Sequence, residues 1–125
     1  MGDIAVGDED LELTLDESAV QAHLSGLHTH DFDKAHRVYR RDAMLIQPQL
    51  GATISGRDNI KAARVAHPER ELVKVDVVMG QGALWVAECL FTVGARKVLV
   101  VSVLEFCEGQ IIREREYTCE LGATS

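Results

Sequence analysis

The chain has 125 residues, 46% of them hydrophobic, with 13 basic against 20 acidic side chains and a formal charge of -7. That length suits one domain with a core able to stand without staples. The acidic balance and the lack of a Lys/Arg cluster exclude the basic stripe that binds nucleic acid or an anionic membrane.

Three cysteines, Cys89, Cys107 and Cys119, form no CxxC spacing, which fits reduced thiols in a cytoplasmic protein better than a disulfide framework. No basic and apolar leader opens the chain, and no apolar run is long enough to span a bilayer. "MGDIAV" places Val6 where a myristoylation signal needs Ser or Thr.

Residues 1–12 are acidic and aperiodic, and are expected to form a mobile tail, with one domain over 13–121 and a second tail over 122–125. "TLDE" offers a capping box from Thr14 to Glu17, and the helix that follows puts Val20, His23, Leu24 and Leu27 on its inner face. A second short helix, capped by Asp31, puts Phe32, Ala35, His36 and Tyr39 on one stripe. "AMLIQPQL" reads as a strand with an edge or bulge at Pro48, and "GATIS" as a second. A third helix runs through "SGRDNIKAARVAHP", capped around Ser55 and stopped before Pro68. From Leu72 onward four β segments follow, parted at Gly80–Gly82, Gly94–Arg96 and Glu108–Gly109. Helices first and antiparallel strands after predict an α+β fold with helices on one face of a curved sheet.

The last hairpin raises a question of phase. In "REREY" two arginines and two glutamates alternate, so one pair faces the helices and the other faces away. "FCEGQ" can close as a three-residue loop that pairs Phe106 with Gln110, Leu104 with Ile112 and Ser102 with Glu114. Val100, Ser102, Leu104, Ile112, Glu114, Glu116 and Thr118 then share a face, with Val101, Val103, Glu105, Arg113, Arg115 and Tyr117 on the other. A two-residue turn at Glu108 and Gly109 shifts the register by one and exchanges the two pairs.

"SGRDNI" and "VSVLEFCEGQIIREREY" resemble the SnoaL-like polyketide cyclase branch of the nuclear transport factor 2-like superfamily, whose members often read "GRDAI" and "EFRDGKIVR" at these places. The similarity in element order covers roughly residues 14–120. It implies a cone in which a curved, mostly antiparallel sheet wraps three N-terminal helices around one small-molecule pocket. Such folds host cyclases, ketosteroid isomerases, epoxide hydrolases and dehydratases, so the pocket must decide the function.

In ketosteroid isomerases the oxyanion-binding acid stands at the position of Ser102 and points inward, which by resemblance turns Glu114 and Glu116 into the pocket. A three-residue loop at Gly94–Arg96 adds Glu88 opposite Ser102 and sends Trp85, Ala87, Cys89 and Phe91 to the convex side. The isomerase set itself is absent: its base position holds Gln47, its tyrosine donor position His23, and its second acid Ser102. Cys119 stands near where many relatives carry Asp.

Two carboxylates crowded into an apolar cavity raise one another's pKa, which makes Glu114 and Glu116 an expected acid and base. His23 reads either as a core-edge histidine or as a donor to an enolate oxygen. Tyr39 and Gln47 are candidates for orienting a substrate, and Glu88, Ser102, Val100 and Leu104 for lining its site. His28, His30 and His36 have no completing ligand spacing, so neither a metal nor another cofactor is expected. The expected function is a cofactor-independent enzyme of polyketide-like metabolism that moves a proton alpha to a carbonyl, with cyclisation, dehydration or isomerisation as the outcome. The rival is a non-catalytic binding or assembly domain on the same fold. The expected partners are a hydrophobic small molecule and a second copy, paired through the convex face.

Overall fold

The computed structural model describes residues 15–122. The expected acidic tail, the Thr14 cap and all but the first residue of the C-terminal tail lie outside the described residues.

Helix α1 (Leu15–His28) carries Asp16 and Glu17 in its first turn and His28 in its last, the arrangement that complements the helix dipole. It buries Ala19, Val20, His23 and Gly26. Asp31 accepts the backbone N–H of Lys34 and caps α2 (Phe32–Arg37). Tyr39 is not on that helix: it opens strand β1 (Tyr39–Gln47). Pro48 ends β1 and begins a single 3-10 turn, Pro48–Leu50. After β2 (Ala52–Ser55), helix α3 (Arg57–Val65) buries Ile60 and Arg64, one turn apart on a single stripe. Ser55 does not cap it, because Gly56 takes that place at φ 96 with no side-chain bond.

Strands β3 (Arg70–Gln81), β4 (Leu84–Val93), β5 (Arg96–Cys107) and β6 (Gln110–Glu120) complete one six-stranded sheet in the order β2-β1-β6-β5-β4-β3. Every pairing is antiparallel except β1 with β6. The sheet is curved and unclosed and the helices lie in its hollow, which is the expected α+β cone. Two apolar clusters fill the concave side. Val20 and Ile60 meet Leu45, Leu104, Phe106 and Ile111 in one. Leu24 and Leu27 meet Leu72, Ala87, Phe91 and Val100 in the other. No described helix is long and apolar enough to cross a membrane.

Two hairpins depart from the expected loops. Cys107 pairs with Gln110, so the last turn has two residues, Glu108 at φ 51 and Gly109 at φ 78, the pair of positive φ angles that matches strand twist. Taken alone, that turn would send the arginines inward. One position further along β6, Ile112 forms a β-bulge: Phe106 pairs with Ile111 and Glu105 with Arg113. The extra residue restores the phase, so Glu114 and Glu116 face the helices after all. Ser102 therefore pairs with Glu116, and Leu104 with Glu114. At Gly94 the turn also has two residues, pairing Val93 with Arg96, and no bulge compensates. Ala87 rather than Glu88 stands opposite Ser102, and Glu88 opposite Val101. Glu88 is thus on the convex face, while Trp85, Ala87, Cys89 and Phe91 lie on the concave one, the reverse of the expectation.

Candidate functional site

A pocket opens between the helices and the concave face of β4 to β6. Its walls are apolar, from Leu24, Leu27, Phe32, Phe91, Val100 and Leu104 among others; its polar groups are His23, Arg64, His67, Arg70, Ser102, Glu114 and Glu116. Counted out to its mouth it holds about 580 Å³ of empty space, of which about 30 Å³ admits the centre of a water molecule. That is room for about two waters, so a larger ligand must part the side chains around it.

Each polar group is placed by the element that carries it. Glu114 and Glu116, two steps apart on β6, point to the same side, and only 1% and 6% of their surface is exposed. A lone carboxylate so buried would take up a proton rather than stay charged. Arg64 on α3 prevents this by bridging the two, its Nη2 lying 3.2 Å from Glu114 Oε1 and 3.4 Å from Glu116 Oε2. Tyr39, fully buried at the head of β1, donates its hydroxyl to Glu114. Gln47, at the other end of β1, donates its amide to Glu116 Oε1 at 3.1 Å.

Burial pushes Glu114 up, but the Arg64 guanidinium, His23, and the hydroxyls of Tyr39 and Ser102 together outweigh it and bring its pKa down to about 2. The expectation that crowding raises Glu114 is therefore corrected: a cation stands between it and Glu116.

Two histidines complete the buried layer. His23 on α1 donates Nδ1–H to the Ala35 carbonyl at 2.7 Å, which fixes the neutral tautomer and leaves the Nε2 lone pair free of any hydrogen bond among the described residues. Burial lowers its pKa from 6.5, opposed by the charge of Glu114. His36 on α2 donates Nδ1–H to Phe32 O at 2.8 Å and accepts from Arg64 Nη1 at 3.2 Å on Nε2. Burial and then the Arg64 charge bring its pKa down to about 4, so it serves as a neutral support for the guanidinium.

His28, whose ring bonds the Leu72 carbonyl, does not converge with His36, and among the described residues no group of three His, Cys, Asp or Glu is arranged to hold a metal. Cys89 also lines the pocket, with a thiol pushed up to about 11 by burial, so it acts as a small apolar wall.

Of the expected site residues, His23, Val100, Ser102, Leu104, Glu114 and Glu116 line the pocket. Tyr39 and Gln47 stand behind the carboxylates and hold them rather than a ligand. Glu88 is removed by the Gly94 turn. Sequence reasoning overlooked Arg64 and Arg70, although both carry a signal. Arg64 falls one helical turn after the buried Ile60, and Arg70 lies two strand positions before the buried Leu72, in each case on the inward stripe.

No family model matches the chain, and no curated protein does. Solved structures do. An NTF2-like protein of unknown function from Burkholderia xenovorans LB400 is 31% identical, with 89% of this chain and 88% of that chain covered at a TM-score of 0.81. A candidate ketosteroid isomerase from Kribbella flavida DSM 17836 is 17% identical, with 89% and 82% covered and a TM-score of 0.80. An LEH-like epoxide hydrolase from M. tuberculosis is 23% identical, with 84% and 83% covered and a TM-score of 0.68.

Proposed function

The chain belongs to the NTF2-like family, and on that footing we propose that it is a cofactor-independent enzyme moving a proton alpha to the carbonyl of a small apolar molecule, with isomerisation, dehydration or ring closure as the outcome. The observation that carries this reading is His23: a neutral imidazole with a fixed tautomer, an unoccupied Nε2, and the ionised Glu114 nearby. As a base it takes the substrate's alpha proton onto Nε2. The C–H electron pair becomes the new C=C bond while the carbonyl pair moves onto oxygen, giving an enolate. The proton then returns to another carbon in isomerisation or to the leaving oxygen in dehydration. In ring closure the enolate carbon bonds to a second carbonyl carbon of the same molecule, whose π pair moves onto its oxygen and takes the proton. Glu114 favours the imidazolium that forms, since its charge is among the influences raising the His23 pKa. Glu116, Arg64, Tyr39 and Gln47 keep that charge in place.

The test is exchange of alpha protons for deuterium in D2O, followed by NMR on a panel of small cyclic ketones and enones. His23→Asn keeps the Nδ1-side donor and removes the base, so exchange should fall about a hundredfold or more. The working form of His23 is unprotonated and its pKa is lowered, so kcat/KM should rise with pH through a value below 6.5 and level off above it. No exchange by the native protein on the whole panel would leave the binding-domain reading standing.

A second reading follows from two carboxylates flanking one guanidinium, an arrangement able to hold and deprotonate a water. Glu116 would take a proton from water, the oxygen would bond to an epoxide carbon as the ring C–O bond breaks, and the ring oxygen would take that proton back. Uptake of ¹⁸O from labelled water into a diol product distinguishes it from deuterium exchange.

A further inference from the structure

We infer that Arg70 receives the ligand's oxygen, and that the pocket takes an apolar molecule bearing one oxyanion of the enolate or phenolate kind. This rests on the acid–base reading for the source of the charge, while the binding preference itself can be measured without turnover.

Arg70 differs from the donors around it. The Tyr39 hydroxyl is given to Glu114, and the Gln47 amide to Glu116. Arg64 spends Nη1 on Tyr39 and His36 and Nη2 on both carboxylates. Ser102 lies against Glu114 and favours its charged form. Arg70 has no such commitment: among the described residues its guanidinium makes no hydrogen bond, and Nη2 lies 3.6 Å from Glu116 Oε2, an ion pair beyond hydrogen-bonding reach.

The group is nevertheless held in place. Its central carbon lies 4.6 Å over the Phe91 ring, a stacked cation on an aromatic face, and Glu116 attracts it from the side. A planar guanidinium fixed in this way, with free N–H groups and a quarter of its side chain exposed, is set to donate to an oxygen entering the pocket. Phe91, Leu27 and Val100 are then apolar surface for the carbon skeleton.

Charge bookkeeping agrees. Two carboxylates are matched by Arg64 and Arg70, so the empty site is neutral. When His23 takes a proton, the ligand's oxyanion and the new imidazolium arise together and neutrality is kept. A weakly acidic phenol imitates this state, because its proton passes to His23 Nε2 and its oxygen keeps the electron pair as a phenolate facing Arg70.

The experiment compares 3,4-dichlorophenol with 1,2-dichlorobenzene, which has the same skeleton without the oxygen, on the native chain, Arg70→Gln and Arg70→Lys. The native chain should bind the phenol with the ultraviolet absorbance of a phenolate below the pH where the free phenol ionises. Arg70→Gln should bind it at least about tenfold more weakly while dichlorobenzene stays within about twofold, and Arg70→Lys should restore part of the loss. Equal phenol affinity in native and Arg70→Gln proteins would overturn the assignment, and so would a parallel loss of both ligands, since that marks a damaged pocket. If the Arg70 preference appears but His23→Asn still binds phenolate at low pH and no ketone exchanges deuterium, the ligand class stands and the acid–base reading falls.

Discussion

Arg64 is the side chain on which the site depends, and its burial makes the dependence measurable. Its side chain is 7% exposed between two carboxylates that are nearly closed to solvent. Replacing it with Met fills similar volume but leaves the buried Glu114 without its cation and Glu116 with Arg70 alone, the kind of change that costs about 3–5 kcal/mol when one partner of a buried pair is removed. Chemical denaturation should show Arg64→Met destabilised by about that amount. Adding Glu114→Gln and Glu116→Gln to the same chain should recover most of it, because the charge then left is Arg70, whose side chain is 25% exposed and stays hydrated. If the triple variant is as unstable as the single one, the role of Arg64 is packing and not charge. The two glutamates were legible in "REREY", whereas the cation that sets their chemistry was not, because Arg64, with Arg57 and Lys61 in the same "RDNIKAARV", reads as part of a solvated helix face until Ile60 is recognised as buried.

At the level of elements, the phase of the sheet was decided by single residues that pattern alone does not weigh. Alternation in β6 fixes which side chains travel together but not the direction they face, and a two-residue turn followed by a bulge at Ile112 gives the same inward pair as a three-residue loop. The Gly94 hairpin lacked such compensation, so one uncounted residue moved Glu88 out of the site and Ala87, Cys89 and Phe91 in. Element order and the fold were readable throughout, because periodicity and turn glycines survive a one-residue error.

The helix pair shows the same sensitivity. A Cβ on Gly26 would stand 2.4 Å from the Ala35 backbone N and 2.7 Å from its Cα, so only glycine lets α1 approach α2 there. The carbonyl of that same Ala35 orients His23. Gly26→Ala should therefore cost about 1–3 kcal/mol through overpacking and also lower turnover, since the acceptor that fixes the His23 tautomer is pushed away. A variant with reduced melting temperature but native kcat would show that the helix contact does not set the histidine.

For the molecule as a whole, the convex face is the surface left to explain. The helices occupy the hollow, and no described element covers Val86, Leu90, Leu99, Val101 and Val103 on the other side, where they alternate with the inward set. Trp85, Ala87, Cys89 and Phe91 face the other way, so the apolar area is smaller than the sequence suggested: it runs along β5 through Leu99, Val101 and Val103, while on β4 Glu88, opposite Val101, separates Val86 from Leu90. Beside it, Glu105 lies 2.8 Å from Arg113 and 3.8 Å from Arg115, ion pairs with partly exposed members that can be exchanged between two copies related by a twofold axis. A dimer through this face would bury on the order of 800 Å² on each copy, with the valines at its centre and the Glu105 and Arg113 pairs at its rim. Light scattering at micromolar concentration should report twice the chain mass. Val101→Asp with Val103→Asp should report a single chain whose phenol binding is intact, because the pocket lies on the opposite side of the sheet. A native chain that runs as a monomer there would mean that the half-buried valines are covered by nothing but their neighbours.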